Sequence, residues 1–243
     1  MRPIQNLDAY RDDLSRFVFR SGMLMKPMFE AARATKRRLV LAEGEGGKML
    51  QACQLIVSEN LADVTLVGRR KVIEEKIQSM SLSIQAGKDF QIVDNLDDAV
   101  ITPIGEEYHA LMARQGMTPK AAQTRVRANT TVVASMLLRR GDADAMLCGT
   151  FGTYGKHLRL AEEIIGRRDG SPVVGAMTVL ILPQGTIFLT DTHVNFDPTA
   201  EQLCELGKLA ADEIRRFGIQ PKAAFLSHSN FGSSDTTSAK KVR

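Results

Sequence analysis

Two segments rich in glycine and hydroxyls have the composition that holds a phosphate. FLSHSNFGSSD, residues 225–235, sets Ser227, Ser229, Asn230, Gly232, Ser233 and Ser234 between an apolar run and the opening of a helix. Hydroxyls and a small residue let donors close on an anion, and the free amides of a helix start add the positive end of its dipole. CGTFGTYGKHLR, residues 148–159, repeats the arrangement with Gly149, Gly152 and Gly155, with Thr150 and Thr153, and with the basic Lys156, His157 and Arg159. Its G-x-x-G-x-x-G spacing is neither the dinucleotide fingerprint nor a P-loop. A plain strand-to-helix turn with a cationic flank is therefore a rival reading, as a solvated, capped loop is for the serine segment.

Other groupings read as structural. EGEGGK, residues 43–48, puts Glu43 and Glu45 where they would repel phosphate. TDTHVNFDP, residues 190–198, holds Asp191, His193 and Asp197, but one histidine among scattered carboxylates is a poor metal set, and a capped turn accounts for the segment. Cys53, Cys148 and Cys204 are far apart with no C-x-x-C, and His109 falls on a helix surface or edge. No spacing joins a particular serine, histidine and aspartate as nucleophile and base. The residues alone therefore point to a cleft that holds a phosphorylated ligand.

The elements that must position these segments alternate. Residues 6–20 read as a helix with Leu7, Tyr10, Leu14, Phe17 and Val18 on one stripe, and a second helix runs from Lys26 to Ala34. RRLVLA, DVTLVG, DFQIVDN and ADAMLCGT are short, continuously apolar strands, and helices near residues 49–58, 71–80, 106–116, from Thr118 onward and 158–165 separate them. Strands without polar alternation are buried on both sides, so the fold class is α/β: a mostly parallel sheet covered by helices on both faces. GRRDGSP marks a crossing into a second lobe, with a hairpin turning at Gln184 and Gly185, a helix closed by Gly218, and KAAFLSHS as a last strand. The organisation expected is helices over 1–35, a first α/β lobe over 36–166 and a second over 167–243 that needs chain beyond Arg243 to close its layer.

The bulk numbers bound the partners. With 243 residues the chain holds one large or two modest lobes, and a formal charge of +4, scattered without a basic block, is no signature of nucleic acid. No apolar run is long enough for a bilayer, and the acidic start does not read as a secretory leader, so cytoplasm is the expected location.

LVLAEGEGGKMLQA, VTLVGRR, RQGMTPKAA, VNFDPTAEQL, RRFGI and LSHSNFGSS together resemble the phosphate acetyltransferase family, from the first helix to the last residue. More narrowly, CGTFGTYGKHLRL, GAMTVLILP and LSHSNFGSSD look like the phosphotransacetylase-like C-terminal domain of large bacterial NADP-dependent malic enzymes. The resemblance implies a two-lobed, isocitrate dehydrogenase-like fold whose second lobe is incomplete in this chain. It further implies a homo-oligomer, an upstream malic enzyme domain using NADP and Mg or Mn, and acetyl-CoA or CoA as ligand. It places Arg159 on a phosphate or carboxyl of that ligand, and Thr150, Ser227, Ser229, Asn230, Gly232, Ser233 and Ser234 around it.

Departures from the transferases are specific. Their S-G-A-x-H-S-x-x-D-T-x-R-P-A turn corresponds to CGTFGTYGKHLRLA, which keeps Arg159 but has lost the histidine, serines and aspartate; Met112 stands for an arginine, and LSYST becomes LSHSN at Leu226–Asn230. The resemblance thus implies a regulatory and oligomerisation domain with no catalytic residues and no metal of its own. An active phosphate acetyltransferase and a purely structural dimerisation domain are the alternatives.

Overall fold

The computed structural model describes residues 7, 8, 10, 25–182, 184–230 and 232–243. The helix expected over 6–20 lies outside these, apart from the helical residues 7, 8 and 10. A helix over residues 25–34 (α1) leads into β1 (Arg37–Leu41), α2 (Gly47–Ser58), β2 (Ala62–Val67), α3 (Arg70–Ser79), β3 (Phe90–Val93) and α4 (Asp98–Met112). There follow α5 (Pro119–Ala128), α6 (Thr130–Arg140), β4 (Ala145–Leu147), α7 (Tyr154–Ile164), β5 (Met177–Leu182), β6 (Gly185–Thr190), α8 (Ala200–Arg216) and α9 (Thr237–Lys240). No described helix is long and apolar enough to cross a membrane.

Residues 31–166 form one compact unit; residues 167–243 and the described residues before 31 belong to a second. The first is built on a four-stranded parallel sheet in the order β3-β2-β1-β4. Leu39 in β1 pairs with Val64 on one side and Ala145 on the other. Side chains alternate across a strand, and the core divides accordingly. Val40, Ala42 and Val67 join Ile101, Ile104, Val126, Val133 and Ile164 on the face covered by α4 to α7. Leu41, Val64, Leu66 and Phe90 join Leu50, Cys53, Ile73 and Ile77 on the face covered by α2 and α3. Burial among these side chains pushes the Cys53 thiol up to about 12, so it serves as a small apolar group.

A guanidinium clip fixes where β4 joins. Asp144 accepts the backbone N–H of Arg38 at 2.8 Å and its Nη2 at 2.8 Å, and the Asp144 N–H donates to Arg38 O at 2.8 Å. The bonds from Arg38 hold the Asp144 carboxyl well below the usual carboxylate range.

The structure departs from the sequence reading in three elements. α4 starts eight residues before 106, capped by Asp97 and tolerating Pro103 inside it. The single long helix expected from Thr118 is two helices, because Asn129 leaves helical geometry (φ −136°, ψ 101°) and its side chain caps α6 at Thr131 N and Val132 N. KAAFLSHS forms no strand. β5 and β6 pair with each other from Met177↔Thr190 to Leu182↔Gly185, and no described backbone hydrogen bond reaches residues 221–227. A strand exists only through a ladder partner. The segment is anchored instead by Phe225, whose ring lies against Gly207 of α8, where an added Cβ would come within 2.9 Å.

In the second unit α8 carries a full capping box, Thr199 Oγ1 accepting from Gln202 N while Gln202 Oε1 accepts from Thr199 N. The 191–195 turn ahead of it is organised by Asp191, whose carboxylate accepts from the N–H groups of Ala176, His193, Val194 and Asn195 and from the Asn195 amide. That carboxylate is spent on capping, and no cluster suited to a metal occurs among the described residues.

Candidate functional site

The carboxyl ends of β1 and β4 lie side by side, and ligands gather at such strand ends in open α/β sheets. The chain leaves β1 through Gly44, where an added Cβ would sit 2.8 Å from Val67 O, so only glycine passes. Glu43, its side chain 14 % exposed, turns towards β4: Oε1 accepts the Gly149 N–H at 2.8 Å and Oε2 the Thr150 hydroxyl at 3.3 Å. Two donors of the 148–153 turn are thereby taken by the chain's own carboxylate. Glu45 turns the other way into a two-pronged pair with Arg69, at 2.8 and 2.7 Å, and that bonding lowers its pKa. Both glutamates hold turns together, in line with their structural reading.

His157 closes the turn from the helix side. Its Nε2 lies 2.7 Å from Phe151 O and so donates; Nδ1, 3.0 Å from Thr131 Oγ1, then accepts the hydroxyl of the first turn of α6. The side chain is 15 % exposed, and Glu43 Oε1 is 3.8 Å from Nδ1. Gly149 and Gly152 hold φ of +97° and +96°, and a Cβ on Gly152 would stand 3.1 Å from His157 Nε2. The imidazole fills the space that a side chain at 152 would enter.

Two features of this edge face outward. Phe151 and Tyr154 are 83 % and 54 % exposed. Arg159, on α7, is exposed and has no hydrogen-bond or ion-pair partner among the described residues. Met112 ends α4 inside the core at 2 % exposure, where its side chain packs with the cluster covered by α4 to α7.

The serine segment belongs to the second unit. Its hydroxyls bond mostly to the loop itself: Ser227 Oγ accepts from Ser229 N at 3.1 Å, Ser229 Oγ accepts from Ser234 N at 3.0 Å, and Ser234 Oγ lies 3.2 Å from His228 Nε2 and 3.3 Å from Thr236 Oγ1. Ser233 N donates to Asn230 O at 3.0 Å. Gly232 (φ +79°) makes the reversal, and its carbonyl accepts from Arg243 Nη2 at 3.0 Å. Ser227, Ser229, Gly232 and Arg243 line a hollow of about 470 Å³. The four serines and Asn230 are thus gathered into one loop. Thr150 lies in the turn after β4 and Arg159 in the middle of α7, both in the other unit.

Sequence reasoning missed the roles of Glu43, Thr131, His157 and Arg243. Glu43 reaches a turn 106 residues away and His157 a hydroxyl 26 residues away, and no local spacing announces either contact.

Comparison with known proteins follows the same lines. The family described as Phosphate acetyl/butaryl transferase matches residues 23–243. An NADP-dependent malic enzyme of Haemophilus influenzae is 52 % identical over 242 residues, all of this chain but only 32 % of that protein, so the chain spans about a third of the length of such relatives. A phosphate acetyltransferase of Clostridium acetobutylicum is 30 % identical, with 90 % of this chain aligned to 67 % of its length. A solved phosphotransacetylase from Streptococcus pyogenes superposes with a TM-score of 0.81 at 23 % identity, over 90 % of this chain and 66 % of that one, which shows the fold.

Proposed function

The chain belongs to the phosphate acetyl/butaryl transferase family, and from that premise we propose that it is the phosphotransacetylase-like C-terminal domain of an NADP-dependent malic enzyme, sensing acetyl-CoA and organising the oligomer. Malate, NADP and a divalent metal belong, in this reading, to other parts of such a protein, and the reaction they serve is oxidative decarboxylation of malate to pyruvate in the cytoplasm. The observation that carries the reading is Arg159, on the helix that follows β4: an exposed guanidinium with no hydrogen-bond or ion-pair partner among the described residues. It suits a phosphate or carboxyl group bidentately.

Acyl transfer needs donors aimed at the charge that develops in the transition state. Here Gly149 N–H and the Thr150 hydroxyl already serve Glu43, and the Ser227 hydroxyl donates to Ser229 O within its own loop. That supports binding with little or no transfer. A sensor must favour one of two states of the parent protein, so acetyl-CoA would act by differential affinity.

The test is calorimetric titration of acetyl-CoA into the full-length native protein, with Arg159→Ala alongside and acetyl phosphate formation assayed on both. Saturable binding, weakened about tenfold or more by the loss of a charge-assisted contact, and no acetyl phosphate above background are expected. No binding at millimolar ligand by folded protein leaves an assembly domain in place of a sensor. Steady turnover would restore the transferase reading.

A further inference from the structure

One helical turn beyond Arg159, α7 presents a carboxylate held by two helices at once. Glu163 is 17 % exposed; its Oε1 accepts the Tyr108 hydroxyl at 2.7 Å and its Oε2 the Arg125 guanidinium at 3.2 Å. Tyr108, on α4, is wholly buried, and the Arg125 guanidinium on α5 lies 5.7 Å from the centre of its ring. Burial, reinforced by the bond to Glu163, raises the phenol well above its ordinary value, so it stays a donor. A buried hydroxyl and a largely buried carboxylate are both costly to leave unpaired. The contact therefore has one strongly preferred geometry.

The seat is stiff because α4 and α5 are themselves locked. The Gln123 amide lies flat on Gly105, where an added Cβ would come within 2.5 Å, and its Nε2 donates to Thr102 O at 2.9 Å. Elsewhere α7 is held at its first turn by His157 and at its last carbonyls by Arg139, which donates to Ile164 O at 2.8 Å. Glu163 is the polar anchor that faces the α4–α5 pair.

Residues four apart share a helix face and lie about 6 Å apart along its axis. The orientation that Glu163 imposes is thus imposed on Arg159. We propose that Tyr108, Arg125 and Glu163 are positioning residues for Arg159, fixing the rotation and height of α7 from which the guanidinium meets the anionic group of the ligand. The inference rests on the reading of Arg159 given above.

The experiment measures acetyl-CoA affinity in the full-length native protein for wild type, Tyr108→Phe, Arg159→Ala and the double variant, with a thermal melt of each. Tyr108→Phe keeps the ring and removes only the hydroxyl. We expect it to weaken binding about fivefold alone and not at all in the Arg159→Ala background, since the loss acts through the guanidinium. Should Tyr108→Phe not fold, Glu163→Gln takes its place in the same cycle. Affinity unchanged in Tyr108→Phe, or a loss that persists without Arg159, overturns the positioning role and leaves the cluster as packing. An Arg159→Ala variant that binds as tightly as wild type overturns the proposed function first, and this inference with it.

Discussion

Asp191 shows how one side chain can be consumed by folding in a segment that looks equipped for chemistry. Burial works against its charge, but the N–H groups of Ala176 and Asn195, the Asn195 amide and the His193 N–H outweigh it and bring the carboxyl from 3.8 to about 2. A depressed value of this kind adds stability that is fully present above the unfolded pKa and is lost as pH falls through the folded one. Melting curves of wild type and Asp191→Asn should therefore lie apart at neutral pH and converge between pH 3.8 and about 2. A separation that ignores pH would show that the carboxylate's charge plays no part. The histidine and aspartates of this turn were legible as a capped turn because the competing metal reading needed more ligands than the segment holds. His157 was legible only as a basic residue. Its bonds run to Thr131 and to a carbonyl released by the left-handed glycines, and three-dimensional proximity of that kind leaves no trace in spacing.

Helices and strands were legible wherever apolar period and end signals agreed, as at Thr118 and in the helix closed by Gly218. They were misread where a local signal was overridden. The helix expected from residue 106 opens earlier, after the cap at Asp97, with Pro103 inside it. KAAFLSHS has the composition of a strand, and composition does not supply a partner. Amide exchange tests the point. Residues 222–227 donate to no described backbone carbonyl, so they should exchange orders of magnitude faster than residues 64–67, whose strand is paired on both sides. Protection of 222–227 comparable with β2 would mean that a ladder forms there in solution.

Across the molecule, burial is uneven. Both large apolar clusters belong to residues 31–166, while Val173, Leu206 and Ala239 are the buried apolar side chains described in 167–243. A fragment comprising 31–166 should fold cooperatively by itself, and Leu66→Ala within it should cost about 2–5 kcal/mol in denaturant titration, the usual penalty for emptying a packed site. A fragment without a cooperative transition would show that the clusters depend on the rest of the chain. The strand order has a further outcome in time. β1 meets β2 after a short crossover, but its other edge waits for β4, and the Arg38–Asp144 clip that sets this pairing spans 106 residues. At ribosomal speeds of about 5–20 residues per second, that edge stays open for roughly 5–20 s of synthesis. During that interval the unpaired edge of β1 is a target for shielding by a chaperone.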